Sequence, residues 1–309
     1  MIFVIGLSLS VLFFIIFSYV ISPYARRILL FFPVAFYSIF IAFQGSSGSD
    51  TFEYVRVYNN ATDYLSFIFF EPAFYFYFSG LRYFDLSYEF VNYSHAFVVA
   101  LSLYLIAVKR SPLLAALYVV YIGINVDFST LRQSFGLHVF SIFYLMSERF
   151  YLSVISSTLF HFSGIFALVL KVSNINITIK YIIILIFISV PFYFYINRYL
   201  SNGMSFLIRD DFGFILQTLI ILFLCYFMGY SKRILVIIAI ISVIPIGYRM
   251  VFFLLIVPHV NLTKVAANKV VVCCVLMLFL FFKLNSFVIQ SVSNDGENSI
   301  VTHYERMFF

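Results

Sequence analysis

The sequence predicts an all-α, polytopic integral membrane protein of about ten membrane segments, some of them broken or re-entrant. Three observations carry that prediction. The 309-residue chain is 63% hydrophobic and 10% charged, with a mean hydropathy of +1.05, whereas a soluble domain is about half apolar and one quarter charged; no soluble core absorbs 43 Phe and 24 Tyr beside this much Ile and Leu. The apolar runs are continuous and approach the roughly 20 residues of a spanning helix, instead of alternating as in an outer-membrane barrel. Finally, the lysines fall on one side of the resulting topology, as the positive-inside rule requires.

Spans are expected near 2–22, 28–43, 90–108, 113–126, 133–147, 181–197, 212–230 and 270–287. Two further apolar segments are interrupted: 150–170 breaks around Ser163-Gly164, and 234–262 breaks around Pro245, Gly247 and Arg249 before meeting Pro258. If each is a broken hairpin returning to the side it left, Lys109, Lys171, Lys180, Lys232, Lys264 and Lys269 lie inside, Lys283 does not, and every acid except Glu148 lies outside. Treating both as simple spans would move Lys171, Lys180, Lys232 and Arg233 outside, so the hairpin topology is preferred. Residues 1–309 then form a single transmembrane domain with outer loops 44–89 and 197–211 and a polar tail, 288–309. Arg26-Arg27 follow the first apolar run instead of preceding it, which fits an uncleaved span with its N-terminus outside.

The net charge of +6 follows mostly from that topology. No basic cluster is interleaved with exposed aromatics, so nucleic acid is not an expected partner. Cys225, Cys273 and Cys274 sit in apolar runs without CxxC or Cys/His ligand spacing, which supports neither a disulfide framework nor a metal site. Within loop 44–89, the run Glu71-Pro72-Ala73-Phe74-Tyr75-Phe76-Tyr77-Phe78 reads as a helix over 71–84 at the outer interface, where aromatic side chains with polar tips concentrate.

The richest stretch runs from Asn125 to Leu170. A polar collar, Asn125 to Gln133, carries Asp127 and Arg132 between two apolar runs; Glu148-Arg149 follows one run later, and another helix breaks at Phe160-His161-Phe162-Ser163-Gly164. Ionisable groups at membrane depth are costly and tend to line polar cavities. Arg56, Arg82, Arg132, Arg198, Arg209, Arg249 and Arg306 all lie on the outside or at outer depth, where topology does not account for them. Some are partners for the outside acids; the rest suit an anionic substrate, because the guanidinium fork matches phosphate. His95, His138 and His259 lie in apolar runs and read as packing residues.

Four elements in order resemble those of the EpsG/Wzy-type polysaccharide polymerases, over about residues 45–170. Gly48-Ser49-Asp50-Thr51-Phe52-Glu53-Tyr54 is similar to the family's G-[ST]-D-x-x-x-Y segment, and Glu71-Pro72-Ala73-Phe74 to its E-P-x-F element. Leu131-Arg132-Gln133-Ser134-Phe135-Gly136 resembles [IL]-R-Q-x-[FL]-[AG], with glycine where alanine is commoner. Leu159-Phe160-His161-Phe162-Ser163-Gly164 resembles L-F-H-x-S-[AG]. Beyond residue 180 the likeness is hydropathy, apart from Gly247-Tyr248-Arg249, which is similar to a late arginine of many members.

The resemblance implies assembly of O-antigen or exopolysaccharide at the periplasmic face of the cell inner membrane, with no cofactor, no metal and no nucleotide-sugar. The implied substrate is an undecaprenyl-diphosphate-linked oligosaccharide, and the implied protein partner a chain-length regulator. In that reaction a glycan moves from its diphosphate carrier to a sugar hydroxyl of another lipid-linked unit. Preorganised cations stabilise the leaving diphosphate, a role expected first of Arg132, then of Arg249 and Arg56. His161 is the expected catalytic base or orienting group for the acceptor hydroxyl, shared with Asp50, while Glu53 and Glu71 bind substrate hydroxyls. Structural alternatives are a turn cap for Asp50 and an arginine partner for Glu71. Rival readings of the whole chain are a flippase for the same lipid-linked sugar and a membrane O-acyltransferase. No GxxxxGK[ST] loop is present, in keeping with a donor that carries its own energy.

Overall fold

A computed structural model describes residues 2–44, 51–59, 71–128, 130–168, 212–243, 247–257 and 268–293, and every regular element among them is helical. α1 (Ile2–Phe17), α2 (Pro23–Leu29) and α3 (Phe31–Ala42) open the chain. α4 (Thr51–Asn59) and α5 (Pro72–Tyr83) follow in the expected outer loop, the second matching the aromatic run read as a helix. α6 (Glu89–Lys109), α7 (Pro112–Tyr118), α8 (Leu131–Ser147) and α9 (Phe150–Phe160) form the central group. α10 (Phe212–Phe227), α11 (Lys232–Val243), α12 (Gly247–Ile256) and α13 (Lys269–Ser293) complete it.

Two described helices are long and apolar enough to cross a membrane: Pro23–Ala42, in which α2 runs almost directly into α3, and α6, of 20 and 21 residues. Phe3–Phe17, Pro112–Gly123, Phe150–Phe160 and Leu216–Phe227 are shorter apolar helices. The span expected at 181–197 and the loop 197–211 lie outside the described residues.

Local chemistry sets several of these boundaries. Ser22 and Ser111 cap α2 and α7 by accepting from the backbone N–H groups of Ala25 and Leu113, and each is followed by a proline at the first helical position, where the missing N–H costs nothing. α8 ends at Glu148 in the left-handed conformation, φ 57°. α13 extends through Ser293, past the end expected for its span at 287.

Side-chain bonds define two ends of the bundle. At one, Phe3 packs edge-on against Phe128 and Gln44 bonds Asn92. At the other, Lys109 Nζ donates to the Leu145 carbonyl at 2.7 Å, the Tyr144 hydroxyl to Val257 at 3.2 Å, and Lys269 to Ser18. α6 and α8 therefore run in the same direction, with α7 returning between them. The Tyr230 hydroxyl, just before α11, bonds the Leu255 carbonyl near the end of α12 at 2.6 Å. That bond fits the broken hairpin expected over 234–262. The path beyond Leu168 lies outside the described residues, although the first interruption is present: α9 stops at Phe160 and a 3₁₀ turn covers Phe162–Leu168.

Candidate functional site

Above the main core, α4, α5, α6 and α8 share a smaller one built from Tyr54, Val57, Tyr58, Phe74, Phe78, Val91, Leu131 and Phe135. Phe160 stacks on Phe135 at 5.8 Å and so brings the end of α9 to the same place. This packing aligns three helix ends that are far apart in sequence. Glu71 occupies the residue before α5, Arg132 the first turn of α8, and His161 the residue after α9.

The three side chains form one cluster. Arg132 Nη1 donates to Glu71 Oε2 at 2.5 Å, and His161 Nε2 lies 3.6 Å from Glu71 Oε1. The Glu71 side chain is 5% exposed, against 28% for Arg132 and 26% for His161. One buried carboxylate thus holds a guanidinium and an imidazole side by side, both opening outward. Glu71 makes no cap bond to its own helix; its oxygens are turned to these two partners. Arg132 also lies over the Tyr54 ring at 5.7 Å, a cation–π contact that fixes the plane of the fork.

The direction of the imidazole is set by the break after α9. His161 is extended, φ −155° and ψ 131°, and its Nδ1 accepts from the Ser163 N–H at 3.1 Å, with the Ser163 hydroxyl at 2.8 Å. A backbone donor on Nδ1 places the proton of the neutral ring on Nε2, the nitrogen that faces Glu71. With Nδ1 so engaged, the neutral ring of His161 presents an N–H, not a lone pair, on the side of Glu71. Its seat depends on Gly136 and Gly164. A Cβ on Gly136 would stand 3.1 Å from His161 Cβ and 3.3 Å from the Ser157 carbonyl, and one on Gly164 would meet the Thr158 N at 2.6 Å.

A second polar cluster lies deeper and is sealed. Asp127 accepts from the Tyr37 hydroxyl on Oδ2 at 2.8 Å. On Oδ1 it accepts from Tyr118 at 2.7 Å, Ser134 at 2.6 Å and His138 Nε2 at 3.1 Å. His95 Nε2 reaches the Ser134 hydroxyl at 2.7 Å. All these residues are buried, so the carboxylate is satisfied entirely by protein donors, as a buried charge must be. α7 prolongs into a π-helical turn, Val119–Gly123, and a last turn, Ile124–Val126, which deliver Asp127 to the centre. Gly123 is required there, since a Cβ would fall 2.4 Å from the Tyr37 hydroxyl oxygen.

Sequence reasoning placed Arg132, Glu71 and His161 in one site, and the structure brings them together. Glu71 takes the arginine-partner alternative and touches His161 as well. Arg56 is exposed on α4, two residues beyond Tyr54. Asp50 lies outside the described residues, as do the side chains of Glu53 and Arg249. The backbone of Arg249 is in the first turn of α12, three residues before Phe252, whose ring packs on Tyr118 and His138. His95 and His138, packing residues by sequence, are buried, but their imidazoles also build the Asp127 network. The available signal was Ser134 and His138 one helical turn apart, following an aspartate within the same collar.

The family model of the EpsG family matches residues 27–212, more than half of the chain. No curated protein matches, and no solved structure matches.

Proposed function

The chain belongs to the EpsG family, a family of membrane polysaccharide polymerases, and we propose that it transfers a polyprenyl-diphosphate-linked glycan onto a sugar hydroxyl of another lipid-linked repeat unit. The observation that carries this reading is the outward-opening Arg132–Glu71–His161 cluster, which falls on three of the ordered motifs. Family membership favours polymerisation over transport or acyl transfer.

In the proposed reaction the acceptor oxygen attacks the anomeric carbon, the bond from that carbon to the diphosphate breaks, and the diphosphate leaves with the polyprenyl chain. The developing negative charge falls on phosphate oxygens. Arg132, held by Glu71 before substrate arrives and partly exposed, presents its guanidinium to them with little reorganisation. The His161 Nε2–H donates beside it, to a phosphate or sugar oxygen. The proton of the acceptor hydroxyl then goes to a carboxylate, for which Asp50 and Glu53, a few residues before Tyr54 in the sequence, are the candidates; Glu71 is engaged by two cationic or donor groups and is a weaker base for it. Arg249 and Arg56 remain proposed substrate-binding cations. The basic residues gathered at the far end of the bundle are the cytoplasmic end by the positive-inside rule, which supports a cluster facing the periplasm of the inner membrane.

Replacement of Arg132 by Ala in a strain carrying this chain as its sole copy tests the assignment. Loss of one preorganised donor to the leaving group lowers the rate by roughly 10²–10³, so the glycan ladder collapses to single repeat units on the lipid carrier while protein abundance stays constant. A normal ladder from that strain rules out the role given to Arg132.

A further inference from the structure

The end of the bundle remote from Arg132 carries a cavity of about 510 Å³, lined by Arg27, Lys109 and Arg110, by Tyr104 and Tyr144, and by Glu148. It is open to the surface at the ends of α2, α6 and α8. α8 has 17 residues, which at 1.5 Å per residue separates the cavity from Arg132 by about 25 Å. Three cations thus face one carboxylate, and that carboxylate is the single acid which sequence topology assigns to this side. Among the described residues, no ion pair joins Glu148 to Arg27 or Lys109. Lys109 is steered by its bond to the Leu145 carbonyl, which engages one of three ammonium protons, and Arg110 lies 5.8 Å from the centre of the Tyr144 ring. These contacts hold cations around an opening rather than letting them spread into solvent.

One wall of the cavity is continuous with an apolar surface. Tyr104 stacks on Phe31 at 4.6 Å, and Phe31, Phe32 and Ile28 are exposed on the outside of the same helical pair. A ligand with a phosphate in the cavity would therefore have hydrocarbon surface directly beside it.

We infer that this cavity binds the phosphate headgroup of an anionic phospholipid, with its acyl chains lying along Phe31 and Ile28. The positive-inside rule alone predicts diffuse attraction of anionic lipid to this end. The cavity predicts one saturable site whose affinity depends on the residues lining it and not on neighbouring charges.

The test is native mass spectrometry of the full chain released from nanodiscs containing equal phosphatidylglycerol and phosphatidylcholine. One phosphatidylglycerol is retained per protein, and Arg27→Gln or Arg110→Gln each reduces retention about fivefold. Arg149→Gln, at the same end but outside the cavity lining, leaves retention unchanged. Glu148→Gln raises it by a similar factor, a gain that misfolding does not produce. Equal retention of the two lipids, or an equal loss with Arg149→Gln, overturns the site. Displacement of the lipid by millimolar soluble glycerol phosphate would assign the cavity to free phosphate and overturn the lipid.

Discussion

The Arg132–Glu71 pair and the Asp127–His138 pair both set a side-chain nitrogen against a carboxylate inside an apolar bundle, yet they are built in opposite ways. Around Asp127 every surrounding donor belongs to the protein and nothing reaches the surface: Tyr37, Tyr118, Ser134 and His138 all converge on two oxygens. Around Glu71 the carboxylate is covered, but its partners are more than a quarter exposed. A sealed network has spent its hydrogen-bonding capacity on structure; a half-open one keeps part of it for a ligand. Charge at membrane depth is by itself no guide to chemistry, and the exposure of the partners separates the two cases. Asp127 joins α3, α7 and α8 directly and α6 through Ser134 and His95, and so fixes the helix from which Arg132 projects.

Substitution at the sealed cluster is the largest perturbation. Asp127→Leu leaves four buried donors without their acceptor, at about 1–3 kcal/mol each, which is comparable to the entire stability of a typical domain. Folded protein is not recovered after detergent extraction, whereas Asp127→Asn, which keeps an oxygen acceptor, remains monodisperse. Size-exclusion profiles of the two variants check this, and a well-folded Asp127→Leu protein would remove the distinction between the clusters.

Glu71→Gln sits next. It keeps the shape but loosens both partners, so polymer yield falls at least about tenfold while the melting temperature moves by only a few degrees. Glycan ladders and thermal unfolding of the same preparation separate the two readouts, and a parallel fall in both would class Glu71 with Asp127.

Gly123→Ala is smaller. The added methyl meets the Tyr37 hydroxyl and costs about 1–3 kcal/mol by overpacking; Tyr37→Phe in the same chain removes the atom it meets and restores part of the loss. Additive destabilisation in the double variant would show that the close approach is not responsible. The mildest change is Gly136→Ala, expected to cost about 1 kcal/mol, the low end of overpacking, because the His161 Cβ and the Ser157 carbonyl have only to give by a few tenths of an ångström. Any effect should show first in activity through His161 and not in stability.

Much of this was legible in the sequence. Apolar run lengths located most of the described helices to within a few residues, apart from the far end of α13 and from α4, which lies in the loop expected at 44–89, and the order of the motifs joined residues 71, 132 and 161. What stayed hidden has a common cause. Tyr37 and Tyr118 are two among 24 tyrosines, and nothing in their neighbourhoods distinguishes a hydroxyl that meets a carboxylate from one at an interface. The two histidines sit in apolar runs because the cluster they serve is itself surrounded by apolar side chains. The tautomer of His161 depends on one backbone N–H two residues away, a detail that hydropathy and spacing do not encode. The basic cavity likewise joins residue 27 to residues 109 and 148 through tertiary packing alone.

The π-helical turn at Val119–Gly123 carries a surplus residue relative to an α-helical path. Each residue of an α-helix advances the azimuth by about 100°, so excising one amino acid anywhere between positions 119 and 123 would let the rod from Pro112 relax to regular winding. Asp127 would then swing away from its four donors. The length of this rod is consequently fixed by phase as well as by reach, and its tolerance for insertions or deletions should be far lower than its uniformly apolar side chains suggest.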